Sequence, residues 1–232
     1  MKIISENLAK VEGRIKGVLK ETRLTKNAKS PQIVAVSKRQ PPERVDECLL
    51  AGHRVFGENQ VLEALQRWES RKLLFSNIKL HLIGHLQTNK AKQAVQLFDV
   101  IEVVDRESLA RTLQKEVEKS GRQIEFLVQV NTGEEKQKSG ILPEQADAFV
   151  RFCLDECKLN VVGLMCIPPL NEEASIHFAL LAEIAKRNGL EKLSMGMSGD
   201  YEAAVAFGAT SVRIGSAIFG ERLERKTQQN CD

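Results

Sequence analysis

Lys38 is the residue of this sequence whose position most clearly suggests covalent chemistry. It follows an apolar run at residues 33–36 and one serine, in a stretch with the pattern of a buried strand. Burial of an ammonium group lowers its pKa and leaves more free amine, which can form a Schiff base with an aldehyde. The alternative is a strand-end lysine whose side chain turns into solvent. Both interpretations remain open for Lys38 on its position alone.

Two segments of small residues suggest a site for an anion. Ser198-Gly199 and Gly215-Ser216 each precede a stretch with a helical pattern. Backbone N–H groups at the start of a helix, unobstructed by large side chains, are suited to binding phosphate. Ser198 and Asp200 would also serve as helix caps, a role that is compatible with phosphate binding by the serine.

Together these features suggest a ligand with a carbonyl group at one end and a phosphate at the other. Pyridoxal 5′-phosphate (PLP) has both groups, and a sugar phosphate bound by an aldolase also has a carbonyl group and a phosphate at its two ends. Arg213 bears on the choice because it lies two residues before Gly215. PLP sites place an Asp or Arg beside the pyridine nitrogen, so Arg213 favours PLP.

Other site chemistries find little support in the sequence. It contains neither a GxGxxG nor a GxxxxGKS segment, so dinucleotide and Walker-type phosphate sites are not expected. The five cysteines are scattered and match neither metal-ligand spacing nor a disulfide framework. Aromatic residues make up only 5% of the chain and no basic stripe accompanies them, so we expect no nucleic-acid binding.

The elements that must position these residues alternate regularly between strand and helix. Short, continuous apolar runs are typical of parallel strands that are buried on both faces. We predict strands at residues 33–38, 54–58, 79–84, 99–104, 125–131, 160–167, 192–197 and 211–215. Helices are predicted at 3–24, 43–51, 59–72, 87–97, 106–120, 143–157, 172–188 and 201–207, with Gly52, Gly121, Gly189 and Gly208 as helix stops.

Eight strands, each followed by a helix, predict a (β/α)8 TIM barrel with an extra N-terminal helix. The structural alternative is a doubly wound open sheet, which usually has fewer strands and a glycine-rich first turn. The first turn here contains no glycine. In a barrel the functional site lies at the carboxyl ends of the strands, and a phosphate often lies beside the last two. Lys38, Ser198 and Gly215 would then meet at one mouth.

Length and composition are those of a single globular domain spanning residues 1–232. Apolar residues make up 42% of the chain and charged residues 28%. No apolar run approaches the ~20 residues needed to cross a bilayer, and the first residues lack the apolar centre of a secretory signal. We therefore expect a cytoplasmic protein, with a core at about residues 3–222 and a flexible tail at 223–232.

The positive charge of the chain is concentrated near its beginning. Residues 1–29 contain eight Lys and Arg against three Glu, while the whole chain has a net charge of +3. This excess could mark an anionic partner. The solvated outer face of an amphipathic helix is the simpler explanation, and we expect that.

Seven sequence blocks resemble the pyridoxal phosphate homeostasis proteins. They are IVAVSK, FGEN, HLIGHLQTNK, the segment from Asn131 through Glu135 and Lys138 to Gly140, GLM, LSMGMSGDYEAAVAFGAT and VRIGSAIFG. The resemblance covers roughly residues 5–222 and keeps the order of the blocks. It implies a single PLP-binding barrel of the alanine racemase N-terminal type.

The resemblance also implies roles for individual residues. Lys38 matches the lysine that forms the Schiff base with PLP, and Arg213 matches the arginine beside the pyridine nitrogen. The phosphate is expected at Ser198, Gly215 and Ser216, and the pocket wall is expected to include Asn59, Met165 and Met195. Two small departures from the family pattern, Gly199 and Ser216, do not affect this expectation.

The expected function is that of a carrier or buffer in PLP homeostasis, without strong catalysis. A cationic Arg213 disfavours protonation of the pyridine nitrogen, which makes the ring a weaker electron sink. Racemisation also needs a second base on the opposite face of the cofactor, and the sequence ends soon after the eighth strand. The alternatives are a PLP-dependent amino-acid racemase or decarboxylase and, third, a sugar-phosphate aldolase.

Three further features stay open at this point. His85 is the one conceivable alternative base, although a hydrogen-bonded loop histidine is the simpler interpretation. Tyr201, the only tyrosine, is expected to pack near the phosphate site rather than act as a base. The charged segment 134–140 is either a gate for cofactor exchange or a solvated loop. We expect a monomer, with PLP-dependent apo-enzymes as possible acceptors of the cofactor.

Overall fold

The protein is a closed barrel of eight parallel strands in the order β1 to β8, each next to its sequence neighbours. The structure is a computed structural model that describes residues 3–22 and 29–220. The last strand pairs with the first through four residue pairs that begin with Gln32 and Ser211. The predicted TIM barrel is therefore confirmed, and the doubly wound open sheet is wrong.

All eight predicted strands are present. They are β1 Gln32–Val36, β2 Val55–Glu58, β3 Lys79–Leu82, β4 Val100–Val104, β5 Glu125–Val130, β6 Val161–Cys166, β7 Lys192–Ser194 and β8 Ser211–Ile214. Most end one to three residues before the predicted end, because the last residues of each apolar run belong to the turn that follows. Lys38 and Ser198 consequently lie in turns beyond β1 and β7.

The helices form the outer layer of the barrel. They are α1 Ile3–Glu21, α2 Pro42–Leu50, α3 Val61–Leu74, α4 Ala91–Leu97, α5 Glu107–Ser120, α6 Ala146–Arg151, α7 Ala174–Arg187, α8 Tyr201–Ala206 and α9 Ser216–Phe219. The predicted helix 143–157 is α6 with a 3-10 turn before it and a π-helical turn, Phe152–Glu156, after it. The four predicted helix stops all have positive φ, and α5 ends directly at Gly121 with φ 64°.

The N-terminal helix α1 packs against the barrel's outer layer through one face. Its buried residues are Ile4, Leu8, Val11 and Ile15. Lys10, Arg14, Lys16 and Lys20 are exposed, so the expectation of a solvated basic face is confirmed for the part of α1 that is described. Residues 23 and 24 of the predicted helix and the predicted flexible tail at 223–232 lie outside the described residues.

The barrel strands are buried on both sides, as their continuous apolar runs predicted, but the barrel interior also contains polar groups. The outer faces of the strands pack against the helices in one apolar core. Glu102 on β4 contacts Ser194 on β7. These strands are not neighbours in the sheet, so the contact crosses the inside of the barrel. No helix within residues 3–22 and 29–220 has the length and hydropathy of a membrane span.

Candidate cofactor site

A cavity of about 300 Å³ opens at the carboxyl ends of the strands. This volume lies at the lower end of the range that is typical of small-molecule sites. Its wall consists of residues at or just beyond the ends of β1, β2, β3, β6, β7 and β8, together with Gly220: Val36, Lys38, Gln40, Asn59, Ile83, Ile167, Met197, Ser198, Gly199, Arg213, Gly215 and Ser216. Six of the eight sequence-predicted site residues therefore meet in one place.

Lys38 lies in a tight turn after β1 and lines this cavity. It is two residues beyond Val36, which also lines the cavity, so the alternation of side chains along a strand continues to the lysine. The turn is closed by a hydrogen bond from the Gln40 N–H to the Ser37 carbonyl at 3.1 Å. Glu63 on α3 accepts a hydrogen bond from the Arg39 N–H at 2.9 Å. These contacts hold Lys38 half-buried at the barrel mouth.

Ser198 lies where backbone N–H groups of the turn after β8 converge. Its Oγ accepts hydrogen bonds from the N–H groups of Gly215 at 3.2 Å and Ala217 at 3.3 Å. A hydroxyl has one proton to donate and two lone pairs to accept with. With both lone pairs used, the Ser198 proton is available to an acceptor in the cavity. Ser216 lines the cavity beside this point.

The turn that presents Ser198 depends on a glycine and an aspartate. Gly196 has φ +90°, and a Cβ there would come within 2.5 Å of the Ala204 side chain. The Asp200 carboxylate accepts a hydrogen bond from the Met197 N–H at 2.5 Å. This bond turns the carboxylate back into the loop. Asp200 is not among the described residues that line the cavity.

Arg213 is almost completely buried, at 3% exposure, and reaches the cavity from the inside of the barrel. One Nη donates to Ser194 Oγ at 2.7 Å and the other to the Cys166 carbonyl at 2.7 Å. Its backbone N–H donates to the Gly196 carbonyl at 2.9 Å. The first two contacts hold the guanidinium, and the third holds the backbone. Burial raises the pKa of the nearby Cys166 thiol to about 12 despite the opposing charge of Arg213.

Asn59 supplies a polar atom that a ligand could satisfy. Its Oδ1 is buried and has no hydrogen-bond partner among the described residues, although the side chain lines the cavity. Buried polar atoms of this kind are rare, because an unmade hydrogen bond costs about 1–3 kcal/mol. The backbone of Asn59 lies so close to Gly84 that a Cβ on the glycine would come within 2.4 Å of the Asn59 carbonyl. The glycine thus permits this approach.

The other two predicted wall residues lie elsewhere. Met165 on β6 and Met195 just after β7 are both 0% exposed and are not among the residues that line the cavity. His85 is exposed and belongs to a separate depression beside α3. Tyr201 is buried against the core in α8 and is also absent from the cavity wall.

The charged segment 134–140 is tied to the barrel by hydrogen bonds. Asn131 Nδ2 donates to the Glu135 carbonyl at 2.9 Å, and Gln129 Nε2 donates to the Ser139 carbonyl at 3.1 Å. Ser139 Oγ lies 3.2 Å from His85 Nδ1. The interpretation of His85 as a hydrogen-bonded loop residue agrees with this contact.

Sequence reasoning missed two polar residues behind the cavity, Glu102 and Ser194. Glu102 is fully buried and accepts hydrogen bonds from His81 at 2.6 Å and from Ser194 at 2.5 Å. The available signal was an acidic residue in the middle of the apolar strand Val-Ile-Glu-Val-Val. Burial alone raises the pKa of Glu102. The hydrogen bond from His81, the positive charge of Arg213 and the hydrogen bond from Ser194 outweigh burial and hold the pKa below its usual value.

The titratable groups that line the cavity are few. Among the described residues they are Lys38 and Arg213, and the wall has no carboxylate, histidine, tyrosine or cysteine side chain. The arrangement can therefore attract an anion, form an imine with a carbonyl group at Lys38 and donate hydrogen bonds from Arg213 and Ser198. It offers no second described side chain that could act as a general base.

Comparison with known proteins agrees with this geometry. Residues 20–223 match the family model described as alanine racemase, N-terminal domain. The chain is 36% identical over 228 residues to the pyridoxal phosphate homeostasis protein of Aquifex aeolicus, covering 94% of this chain and 97% of that one. It is 37% identical over 223 residues to the human protein of the same name, covering 87% and 81% of the two chains.

Solved structures give the same result. The structure of PipY from Synechococcus elongatus with PLP bound is 34% identical, with a TM-score of 0.78, and the alignment covers 94% of this chain and all of that one. An alanine racemase from Clostridium difficile has a TM-score of 0.71 at 12% identity over 57% of its length, which is a likeness of fold alone. The model match and the near-full-length identities show that the chain belongs to the pyridoxal phosphate homeostasis protein family.

Proposed function

We propose that this protein binds PLP through a Schiff base on Lys38 and takes part in PLP homeostasis as a carrier or buffer of the cofactor. The observation that carries the proposal is the meeting of Lys38, Ser198 and Arg213 around one cavity of about 300 Å³. PLP has an aldehyde, a phosphate and a ring nitrogen. Lys38 suits the aldehyde, Ser198 the phosphate and Arg213 the ring nitrogen. The names of the relatives and the PLP-bound PipY structure support the same ligand.

In this proposal Lys38 holds the cofactor covalently and the turns after β7 and β8 hold its phosphate. Ser198 would donate its hydroxyl proton to a phosphate oxygen, with Gly215 and Ser216 forming the adjoining wall. Asn59 would gain the hydrogen-bond partner that its side chain lacks among the described residues. Because Lys38 and Arg213 are both cationic, the cavity favours an anionic ligand over a neutral one.

Arg213 separates holding the cofactor from activating it. Bound PLP supplies an electron sink, whose strength rises when its ring nitrogen is protonated. A guanidinium next to that nitrogen donates a hydrogen bond and disfavours a second positive charge there. Arg213 would thus orient the ring and keep the sink weak. The lack of a further base among the described wall residues also favours storage over racemisation or decarboxylation.

We propose that a monomer suffices for binding, because Lys38, Ser198 and Arg213 of a single chain suit the aldehyde, the phosphate and the ring nitrogen of PLP. Release to PLP-dependent apo-enzymes would then be the route by which the cofactor leaves. The free thiols of Cys48, Cys153, Cys157 and Cys166 are compatible with the reducing cytoplasm that we propose as its location.

The proposal is tested by reducing the purified protein with borohydride in the presence of PLP and mapping the modified peptide. We expect one pyridoxyl group per chain on Lys38 and an absorbance band typical of a PLP imine before reduction. A colourless protein that takes up no PLP would overturn the proposal. Trapping of a sugar phosphate by PLP-free protein would instead favour the aldolase.

Turnover is tested separately from binding. The loaded protein is incubated with amino acids in deuterium oxide, and exchange at Cα is measured by mass spectrometry. We expect exchange far slower than catalytic rates, whereas rapid exchange or decarboxylation would establish an enzyme. Incubation of the loaded protein with a PLP-free apo-enzyme should restore the activity of that enzyme, which tests the carrier role.

A further inference from the structure

A continuous chain of hydrogen bonds crosses the barrel interior behind the proposed ring site. His81 Nδ1 lies 2.6 Å from Glu102 Oε1, Ser194 Oγ lies 2.5 Å from Glu102 Oε2, and Arg213 Nη1 lies 2.7 Å from Ser194 Oγ. Each of the four residues is at most 4% exposed. Their strands, β3, β4, β7 and β8, surround the interior, so the chain is enclosed by the barrel.

The direction of each hydrogen bond in this chain follows from its chemistry. An ionised carboxylate can only accept, so His81 and Ser194 both donate to Glu102. The serine hydroxyl has then used its only proton, and its oxygen accepts from the guanidinium of Arg213. Every bond therefore runs towards Glu102, which is the negative charge nearest to the buried Arg213 along this chain.

The serine between the two charges has a geometric consequence. A carboxylate in direct contact with a guanidinium commonly binds it with both oxygens and occupies two adjacent N–H groups. Here the interposed Ser194 uses only one N–H group, and the Cys166 carbonyl uses one on the other Nη at 2.7 Å. Arg213 is thus anchored at two points while the guanidinium still lines the cavity.

We propose that Glu102, acting through Ser194, is a positioning residue that keeps Arg213 directed at the ring nitrogen of bound PLP. This inference rests on the proposed function and assigns to it two residues that touch neither the cavity nor the cofactor. A purely structural role of the same chain would stabilise the fold without influencing the cofactor. The two roles differ in what happens to the absorbance of the bound cofactor.

The charged and titratable groups around Arg213 limit what can affect that absorbance. Lys38 lies in the same cavity, Glu102 and His81 lie behind Ser194, and the Cys166 thiol, with its pKa raised to about 12, stays neutral. Removing the Ser194 hydroxyl and removing the Glu102 charge should shift the midpoint of the pH-dependent absorbance change in opposite directions.

Ser194→Ala keeps both charges but removes the link between them. Arg213 can then approach Glu102 directly and withdraw from the ring, so protonation of the bound cofactor becomes easier. The midpoint of its pH-dependent absorbance change should rise by about one unit. Glu102→Gln keeps a hydrogen-bond acceptor for Ser194 but leaves Arg213 without its counter-charge. The cavity becomes more positive, and the same midpoint should fall.

The experiment is a spectrophotometric pH titration of full-length wild type and the two variants, each loaded with PLP. Glu125→Gln is the control, because Glu125 lies at the opposite mouth of the barrel and contacts Lys79 and Lys192 instead of the interior chain. We expect it to retain the wild-type midpoint. Ser194→Thr keeps the hydroxyl and should restore the wild-type midpoint.

The outcomes separate this inference from the proposed function. Wild type that forms no adduct on Lys38 would overturn the proposed function before the variants are compared. Wild type that binds PLP, with both variants folded and titrating at the wild-type midpoint, would overturn the positioning role. Thermal unfolding of the PLP-free proteins shows which variants are folded, and Glu102→Gln keeps the test decisive if Ser194→Ala does not fold.

Discussion

The two ends of the barrel contain cavities of similar size that differ in the charged side chains lining them. The cavity at the carboxyl ends measures about 300 Å³ and is lined by Lys38 and Arg213 without a carboxylate among the described residues. The cavity at the amino ends measures about 230 Å³ and is lined by two lysines, Lys79 and Lys192. Both of these donate to Glu125, at 3.0 and 2.6 Å.

This difference indicates that a lysine at a barrel mouth is not by itself evidence of a cofactor site. At the amino end the first residues of β3, β5 and β7 lie at the rim, and the two lysines form ion pairs with the one glutamate. At the carboxyl end Lys38 lies in the turn beyond β1 and Arg213 lies near the end of β8, and backbone N–H groups and a serine accompany them. The hydrogen-bond chain from His81 to Arg213 joins the two cavities, since His81 and Glu102 line the cavity at the amino ends.

Replacing the lysines provides the largest test of this comparison. Lys38→Ala should abolish covalent pyridoxyl incorporation, because no other amine of the described wall can form the imine. Lys192→Ala should leave incorporation at the wild-type level, since this lysine lies at the opposite mouth. Mass spectrometry after borohydride reduction measures both, and equal loss in the two variants would contradict the assignment of the site.

The buried and the rim carboxylates should differ strongly in their effect on stability. Glu102→Ala leaves His81 and Ser194 without their buried acceptor and Arg213 without its counter-charge, and should lower the free energy of unfolding by about 3–5 kcal/mol. Glu125→Ala removes ion pairs that are partly exposed and should lower it by less than about 1 kcal/mol. Urea unfolding of the PLP-free proteins gives both values. Equal losses would mean that the barrel interior is no less hydrated than its rim.

The serines of the two mouths provide a smaller test. Ser198→Ala removes a donor to the proposed phosphate and should weaken PLP binding by about 1.5–3 kcal/mol, or roughly ten- to a hundredfold. Ser211 lines the cavity at the amino ends, so Ser211→Ala should leave the affinity for PLP unchanged. Pyridoxal lacks the phosphate, so its affinity should not respond to either change. If Ser198→Ala weakens pyridoxal as much as PLP, the serine does not act on the phosphate.

The pH dependence of the stability that Glu125 contributes at the rim provides the smallest test. Burial alone raises the pKa of Glu125, but hydrogen bonds from Lys192 and Lys79 outweigh it and lower the pKa. A carboxyl group whose pKa is lower in the folded state stabilises the fold above its unfolded pKa of about 4.3, and this contribution is lost as the pH falls through the folded pKa.

Glu125→Gln removes that contribution and should flatten the acid side of the stability curve only slightly. The pKa of Glu102 is lowered as well, and Glu102→Gln should flatten the curve more because the group is fully buried. Thermal unfolding between pH 3 and 7 compares the two variants. A larger change for Glu125→Gln would reverse the distinction between interior and rim.

Much of the fold followed from pattern in the sequence. Eight continuous apolar runs predicted eight strands buried on both faces, and the helix stops fell at glycines with positive φ. Lys38, Ser198, Arg213, Gly215 and Ser216 could be identified because each lies at or just beyond a strand end. Chain direction alone brings the carboxyl ends of parallel strands to one mouth.

The depth of individual side chains could not be predicted in the same way. Met165 and Met195 also lie near strand ends, yet both are fully buried and absent from the described cavity wall. Burial depends on which way a side chain points in the closed barrel and on what packs above it. A shift of one residue along a strand exchanges its two faces.

The number and order of the strands follow from local pattern in the sequence, and chain direction predicts the mouth at which the proposed site lies and the lysine suited to an aldehyde. The contact of Glu102 on β4 with Ser194 on β7 and, through it, with Arg213 follows from closure of the barrel instead. Glu102 and Ser194 are 92 residues apart. Their contact exists because closing the sheet places non-neighbouring strands face to face, at a distance that no local pattern records.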